Sequence, residues 1–231
     1  LQFNILFMPD VLYDFGMVGL GTMGRHLLLN IADHRFAAIG FDKDVAKGAL
    51  LESSASPGTT VKGVGSLADM VSELKTPRKL MMLVPAGPIV DAVINDLLPL
   101  LEPGDIVIDG GNSHFPDTLK RIEFLKDKKT HFMGMGVSGG EQGARTGPSI
   151  MPGGDMEAWW ELKPILEAVA AKVNNEPCVA YMGKNAAGHY VKMVHNGIEY
   201  GIMQMISEVY DFMKRGLELN NDELHAVFKK W

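Results

Sequence analysis

Between residue 14 and about residue 182, short apolar runs alternate with stretches whose apolar residues recur every three to four positions. The runs at 14–19, 36–41, 79–84, 105–109, 131–137 and 178–182 predict strands. The amphipathic stretches near 23–34, 44–53, 66–75, 87–101, 116–128 and 156–171 predict helices, the last capped by Asp155. Strands separated by helices cross over to parallel neighbours, so the pattern predicts an α/β fold: a doubly wound, mostly parallel sheet with helices on both faces. From Asn185 onward the spacing is helical only, with one long element to about Lys214, a break at Gly216, and a second element from Asn221 still running at Trp231. The expected organisation is an N-terminal extension over 1–12, a sheet domain over 13–184, and over 185–231 the beginning of an all-α domain that the sequence leaves unfinished.

Gly19, Gly21 and Gly24 form GLGTMG directly after the first strand and before a helix whose Met23, Leu27 and Ile31 would face the sheet. That context makes the glycines a dinucleotide fingerprint of the Rossmann-like kind. The first glycine makes the turn, the second lets backbone approach a pyrophosphate, and the third admits close helix packing above free N–H donors. The second strand ends at Asp42, 18 positions beyond Gly24, near the ~20-residue offset of a ribose-binding carboxylate. Asp42 would repel a 2′-phosphate and so favours NAD. Lys43 argues for NADP, as a cation that could offset that phosphate, or is a solvated turn residue; Asp44 and the loop geometry decide.

The long helix carries a second signal. Lys192, His195, Asn196, Glu199 and Tyr200 stand at i, i+3, i+4, i+7 and i+8, on one helical face. Val191, Met193, Val194, Ile198, Ile202, Met205, Ile206, Val209 and Phe212 surround them, which predicts a buried helix. Buried Lys and Glu are costly unless paired or used in chemistry, so the stripe is either a structural Lys–Glu pair or a general base with its acid. His195 has the same two readings, as a core hydrogen-bonder or a site residue. Two further loops leave strand ends: DGGNS at 109–113, and Ser138 to Gly154, read as a long functional loop without secondary structure of its own.

Composition narrows the classes. The chain has 231 residues, 46% hydrophobic and 22% charged, with formal net charge −6 and no basic stripe, which argues against nucleic acid as its main partner. A single Cys178 suits a reducing, cytoplasmic compartment. No apolar run is long enough to span a membrane, and residues 1–12 read as neither signal peptide nor anchor, with Met8 a candidate start. No cluster with metal-ligand spacing lies near the site residues, so no metal is expected.

Together GLGTMG, LVPAG at 83–87, DGGNS, GVSGGEQGARTGPSIMPGG and KMVHNGIEYG resemble the 6-phosphogluconate dehydrogenase family over about residues 14–231. The resemblance implies oxidative decarboxylation of 6-phosphogluconate to ribulose 5-phosphate and CO2 in the pentose phosphate pathway, with NADP or NAD. It implies Lys192 as base and Glu199 as acid, with Asn112, Ser138, Gly139, Gly140, His195, Asn196 and Tyr200 around the substrate. Gly19, Leu20, Gly21, Thr22, Met23, Gly24, Asp42, Lys43, Asp44, Val84, Pro85, Ala86 and Asn112 would contact the cofactor. Asp42, Lys43 and Asp44 depart from the family's usual NADP residues. The family is homodimeric, with a large helical second domain and a tail that completes the partner's site. The cations binding the substrate phosphate would come from there, Arg145 and Lys184 being the nearby candidates here. The expectation is therefore that the chain alone binds a dinucleotide without turnover. Two rivals are a β-hydroxyacid dehydrogenase of the 3-hydroxyisobutyrate type, against which DGGNS and HNGIEY speak, and a nucleotide-binding module without catalysis.

Overall fold

The computed structural model describes residues 11–231; Met8 and most of the 1–12 extension lie outside the described residues. Seven strands form one sheet in the order β3-β2-β1-β4-β5-β6-β7. They are β1 (Phe15–Val18), β2 (Ala38–Phe41), β3 (Val61–Val64), β4 (Lys79–Met82), β5 (Ile106–Asp109), β6 (His131–Ser138) and β7 (Ser149–Gly154). All neighbours run parallel except β6 and β7, which pair antiparallel from Met133↔Gly154 to Ser138↔Ser149. The order reverses between β1 and β4, and it is outside the carboxyl ends of the strands at such a reversal that an open sheet takes its ligand.

The helices are α1 (Thr22–Asp33), α2 (Val45–Ser53), α3 (Leu67–Ser72), α4 (Pro88–Leu97), α5 (Phe115–Lys126), α6 (Gly140–Thr146) and α7 (Met156–Val169). They cover the two faces with separate cores. One is built on Phe15, Met17, Leu28, Met133 and Leu162, the other on Ile39, Leu80, Met82, Ile94 and Phe132. Successive strand residues alternate between them, as a two-period pleat requires.

Three expectations fail in this unit. Ser138–Gly154 is not a structureless loop, because its middle winds into α6 and its end pairs as β7. Glycine and proline concealed a strand whose partner, β6, is itself glycine-rich. Residues 178–182 are not a strand; they pass β7 with isolated bridges at Ile150↔Val179 and Gly153↔Gly183. Asp155 stands at the N-cap of α7, but its carboxylate contacts His131 Nδ1 at 3.0 Å instead of capping the helix. The strand β3 was not expected, since VKGV lacks a clear apolar run.

The chain divides into a sheet unit ending at Lys192 and a helical unit, Met193–Trp231. The helix α8 (Ala187–Asp211) runs from one into the other and ends in a π-turn, Phe212–Gly216. The last helix, α9 (Asn221–Phe228), opens with a capping box between Asn220 and Glu223 and stops before Trp231. The expectation that the long helix is buried fails: Gly188, His189 and Lys192 are its buried residues, while Ile198, Met205 and Tyr200 are exposed. Apolar periodicity marks a surface that prefers cover; it does not supply the cover.

Candidate active site and dinucleotide cleft

The loop after β1 is shaped by backbone proximity. Gly19 has φ +95°, and a methyl at Gly24 would collide with the Gly19 carbonyl, so the helix start can close on the turn only with glycine at both positions. Gly21 faces open space and is the N-cap of α1, with no side chain capping the first N–H groups. Those donors and the helix dipole suit a pyrophosphate.

Two adjoining hollows meet at Gly21, Leu83 and Val84. The outer one, about 400 Å³, lies between Gly19, Asp42, Lys43, Lys47, Val84 and Pro85. The inner one, about 350 Å³, is walled by Gly21, Thr22, Met23, Gly24, Gly111, Asn112 and Val137. Ala86 is exposed on the same loop as Val84 and Pro85. A dinucleotide laid across the switch point would place its ribose end in the first hollow and its reactive ring in the second.

At the outer end Asp42 accepts from the N–H groups of Leu20 (2.8 Å) and Asp44 (2.9 Å) and from Lys47 Nζ (3.2 Å to each oxygen). Burial pushes this carboxyl up, but those backbone donors and the Lys47 ammonium outweigh it and hold it below its ordinary range. Asp44 is committed to capping α2, accepting from Ala46 N–H at 3.1 Å. Lys43 is exposed at the rim. The sequence reading missed Lys47, which partly neutralises Asp42; its signal was its place one turn inside a helix capped by Asp44.

The inner loop is held more deeply. Asp109, 1% exposed, accepts from Gly111 N–H (3.1 Å), Ser113 Oγ (2.6 Å) and Arg121 Nη1 (3.3 Å). Arg121 also donates to the Gly87 carbonyl at 3.0 Å and to Asp91 at 2.6 Å, so one buried guanidinium ties the loops after β4 and β5 together. Its charge is met by two carboxylates, as a buried cation requires. Lys192 is 8% exposed, its stem seated on Gly136 of β6, where an added Cβ would stand 2.5 Å from Lys192 Cβ. Val137, the next residue, lines the inner hollow. Ser138 ends β6, and Gly139 and Gly140 open α6 with φ of +131° and +60°.

The family pattern described as the NAD binding domain of 6-phosphogluconate dehydrogenase matches residues 14–183, and that of the family's C-terminal domain matches 188–231. The chain belongs to the 6-phosphogluconate dehydrogenase family. It is 52% identical to the decarboxylating 6-phosphogluconate dehydrogenase of Aggregatibacter actinomycetemcomitans and 53% identical to enzyme 1 of Saccharomyces cerevisiae, covering 94% of this chain and 45% of each relative. The chain thus spans about half the length of the relatives it matches. Plasmodium falciparum 6-phosphogluconate dehydrogenase, whose structures include complexes with its cofactor NADP+ and its substrate 6-phosphogluconate, superposes with a TM-score of 0.91 at 44% identity, over 94% of this chain and 47% of that one. A Salmonella typhimurium 3-hydroxyisobutyrate dehydrogenase, 22% identical with a TM-score of 0.76, shares the fold.

The remaining residues that the 6-phosphogluconate dehydrogenase resemblance singled out lie on α8 in the helical unit. His195 Nδ1 stands 3.2 Å from Asn196 Oδ1 and 3.7 Å from Glu199 Oε2. The Glu199 side chain is 59% exposed and Tyr200 71%. An apolar setting for Glu199 is therefore not present. Arg145 is paired with Asp33 of α1, and Lys184 is exposed. Among the described residues no three His, Cys, Asp or Glu side chains gather as metal ligands, and no helix is long and apolar enough to cross a membrane.

Proposed function

We propose that this chain supplies the dinucleotide cradle and the base of an NAD(P)-dependent, decarboxylating 6-phosphogluconate dehydrogenase. The observation that carries the proposal is Lys192, buried beside Gly136 within the unit that holds the cleft. Asn112 and the fingerprint glycines wall that cleft.

Bound nicotinamide would accept the hydride. The unprotonated Lys192 amine takes the proton from the C3 hydroxyl as that hydride leaves C3, which yields a β-keto acid. The resulting ammonium then polarises the C3 carbonyl, so that when the C1 carboxylate departs as CO2 its bonding electrons pass into an enediol. Glu199 delivers a proton to the carbon that lost CO2. Asn112, Ser138, Gly139, Gly140, His195, Asn196 and Tyr200 hold the sugar acid. Asp42 binds the ribose hydroxyls and supports NAD use, while its pairing with Lys47 keeps the site open to NADP. The working form is a cytoplasmic homodimer of family length, with the domain boundary at 184/185.

Residues 1–231 alone bind the dinucleotide and do not turn over, a reading supported by the exposure of Glu199 and Tyr200. Calorimetry with NAD+ and NADP+ tests the cradle, and CO2 release from 6-phosphogluconate by a family-length protein carrying this chain tests the chemistry. Turnover by residues 1–231 alone would overturn the division between cradle and completed site.

A further inference from the structure

Lys192 and Asn112 lie on different elements, and a proton-and-hydride step demands that they keep a fixed separation. One residue touches the supports of both. His189 stands one turn ahead of Lys192 on α8 and is 1% exposed. Its Nε2 lies 3.0 Å from the carbonyl oxygen of Asp109, the last residue of β5, and its Nδ1 lies 2.6 Å from Thr118 Oγ1 on α5. A carbonyl can only accept, so Nε2 carries the proton and Nδ1 accepts from the Thr118 hydroxyl. A neutral imidazole thus satisfies both nitrogens.

We propose that His189 is a positioning residue that ties the origin of the Asp109–Ser113 loop to the turn of α8 bearing Lys192, and thereby fixes Asn112 relative to the base. The inference rests on the assignment of Lys192 as base. Packing beneath α8 supports it. An added Cβ on Gly188 would collide with the carbonyls of Gly134 and Met151, and one on Gly134 would come within 2.8 Å of His189 Nδ1. The start of α8 therefore rests on β6 and β7 through backbone contact, which sets its height, while the imidazole supplies its hydrogen bond to β5. The charged groups facing the ring are Asp109, which favours its protonation, and Arg121, which opposes it; burial is the largest influence, and His189 titrates below its ordinary 6.5. The tie thus stays neutral at physiological pH and holds one tautomer.

The test compares His189→Gln, which can place an amide N–H where Nε2 stands, with His189→Asn, which reaches only the Nδ1 position, and with His189→Leu. In a family-length protein carrying this chain, Leu and Asn should lower kcat about 10- to 100-fold, as a displacement near 1 Å does. The dinucleotide Kd should stay within about threefold, and Gln should recover most of kcat. In residues 1–231 alone, backbone amide exchange at Gly110, Gly111 and Asn112 should quicken in the Leu and Asn variants and return to the parent's rate in Gln. A lowered melting temperature with unchanged kcat, or a Gln variant as impaired as Leu, would reduce His189 to a structural role and overturn the inference. If the parent protein releases no CO2 from 6-phosphogluconate, the activity proposal fails by itself. The exchange rates then decide the tie: unaltered rates in Leu and Asn overturn it.

Discussion

The sheet unit and the helical unit treat similar apolar residues in opposite ways. Phe15, Met17, Leu28, Leu80 and Met82 are fully buried between the sheet and its helices, whereas in Met193–Trp231 Met213 and Leu224 are the buried hydrophobic side chains and Ile198, Ile202, Met205 and Phe212 stand exposed. The sheet unit closes its core within its own residues, since every crossover returns a helix to the sheet it left. A helix apolar around most of its circumference cannot be closed by one flat neighbour. The difference separates two tasks: the cleft is built by the closed unit, and the residues expected to complete the chemistry lie on the open one.

The largest expected effect tests whether the closed unit contains the base. In a family-length protein, Lys192→Met should slow hydride transfer by about 10²- to 10⁴-fold, the usual worth of a general base, with the dinucleotide Kd within a few-fold. Turnover near the parent's would remove Lys192 from that role. Single-turnover measurements on Glu199→Gln should instead show CO2-linked product release slowed more than NAD(P)H formation.

Stability probes the comparison directly. In residues 1–231, Leu28→Ala should cost about 2–5 kcal/mol in urea unfolding, because a fully buried side chain leaves a cavity. Ile202→Ala should change stability by less than about 0.5 kcal/mol, as surface substitutions do. A loss at Ile202 comparable with that at Leu28 would mean that the helical unit closes on itself after all.

The outer end of the cleft gives a smaller effect. Asp42→Asn removes the negative charge that lines the outer hollow and frees Lys47, so the ratio of affinities should move toward NADP+ by about tenfold, or ~1.4 kcal/mol. Lys47→Ala should move it toward NAD+. Calorimetry with both dinucleotides reads each shift, and an unmoved ratio for Asp42→Asn would take its carboxylate away from the ribose.

The smallest effect concerns pH. His189 binds its proton less readily folded than unfolded, so its contribution to stability is complete above about 6.5 and is lost as pH falls through the window from there to its depressed folded value. The slope should not exceed about 1.4 kcal/mol per pH unit, and His189→Gln should remove it from melting curves.

Local chemistry makes most of this chain legible in its sequence. GLGTMG needed glycine at two of its three glycine positions because a Cβ at Gly19 or Gly24 meets backbone, a constraint visible wherever a strand turns into a helix over a ligand. Strand periodicity placed five strands of the sheet. It missed β7 because SIMPGG spells a turn by composition, and only its pairing with β6 makes it a strand. The stripe from Lys192 to Tyr200 was readable as one helical face. Its burial was not: Lys192 is covered and Glu199, about two turns on along the same face, is open.

What the sequence determined by itself was the menu of short-range facts: which segments form helices and strands, where the backbone must approach closely, and which family's motifs are present. Those follow from sterics and hydrogen bonding within a few residues. Tertiary structure alone decided that Lys47 sits on Asp42, that Arg121 joins the loops after β4 and β5, and that His189 links Thr118 and Asp109 to the helix of Lys192. These partners are separated by between 5 and 80 positions in the chain. A buried charge or imidazole declares that it needs a partner, but which partner it finds depends on where the strands carry it.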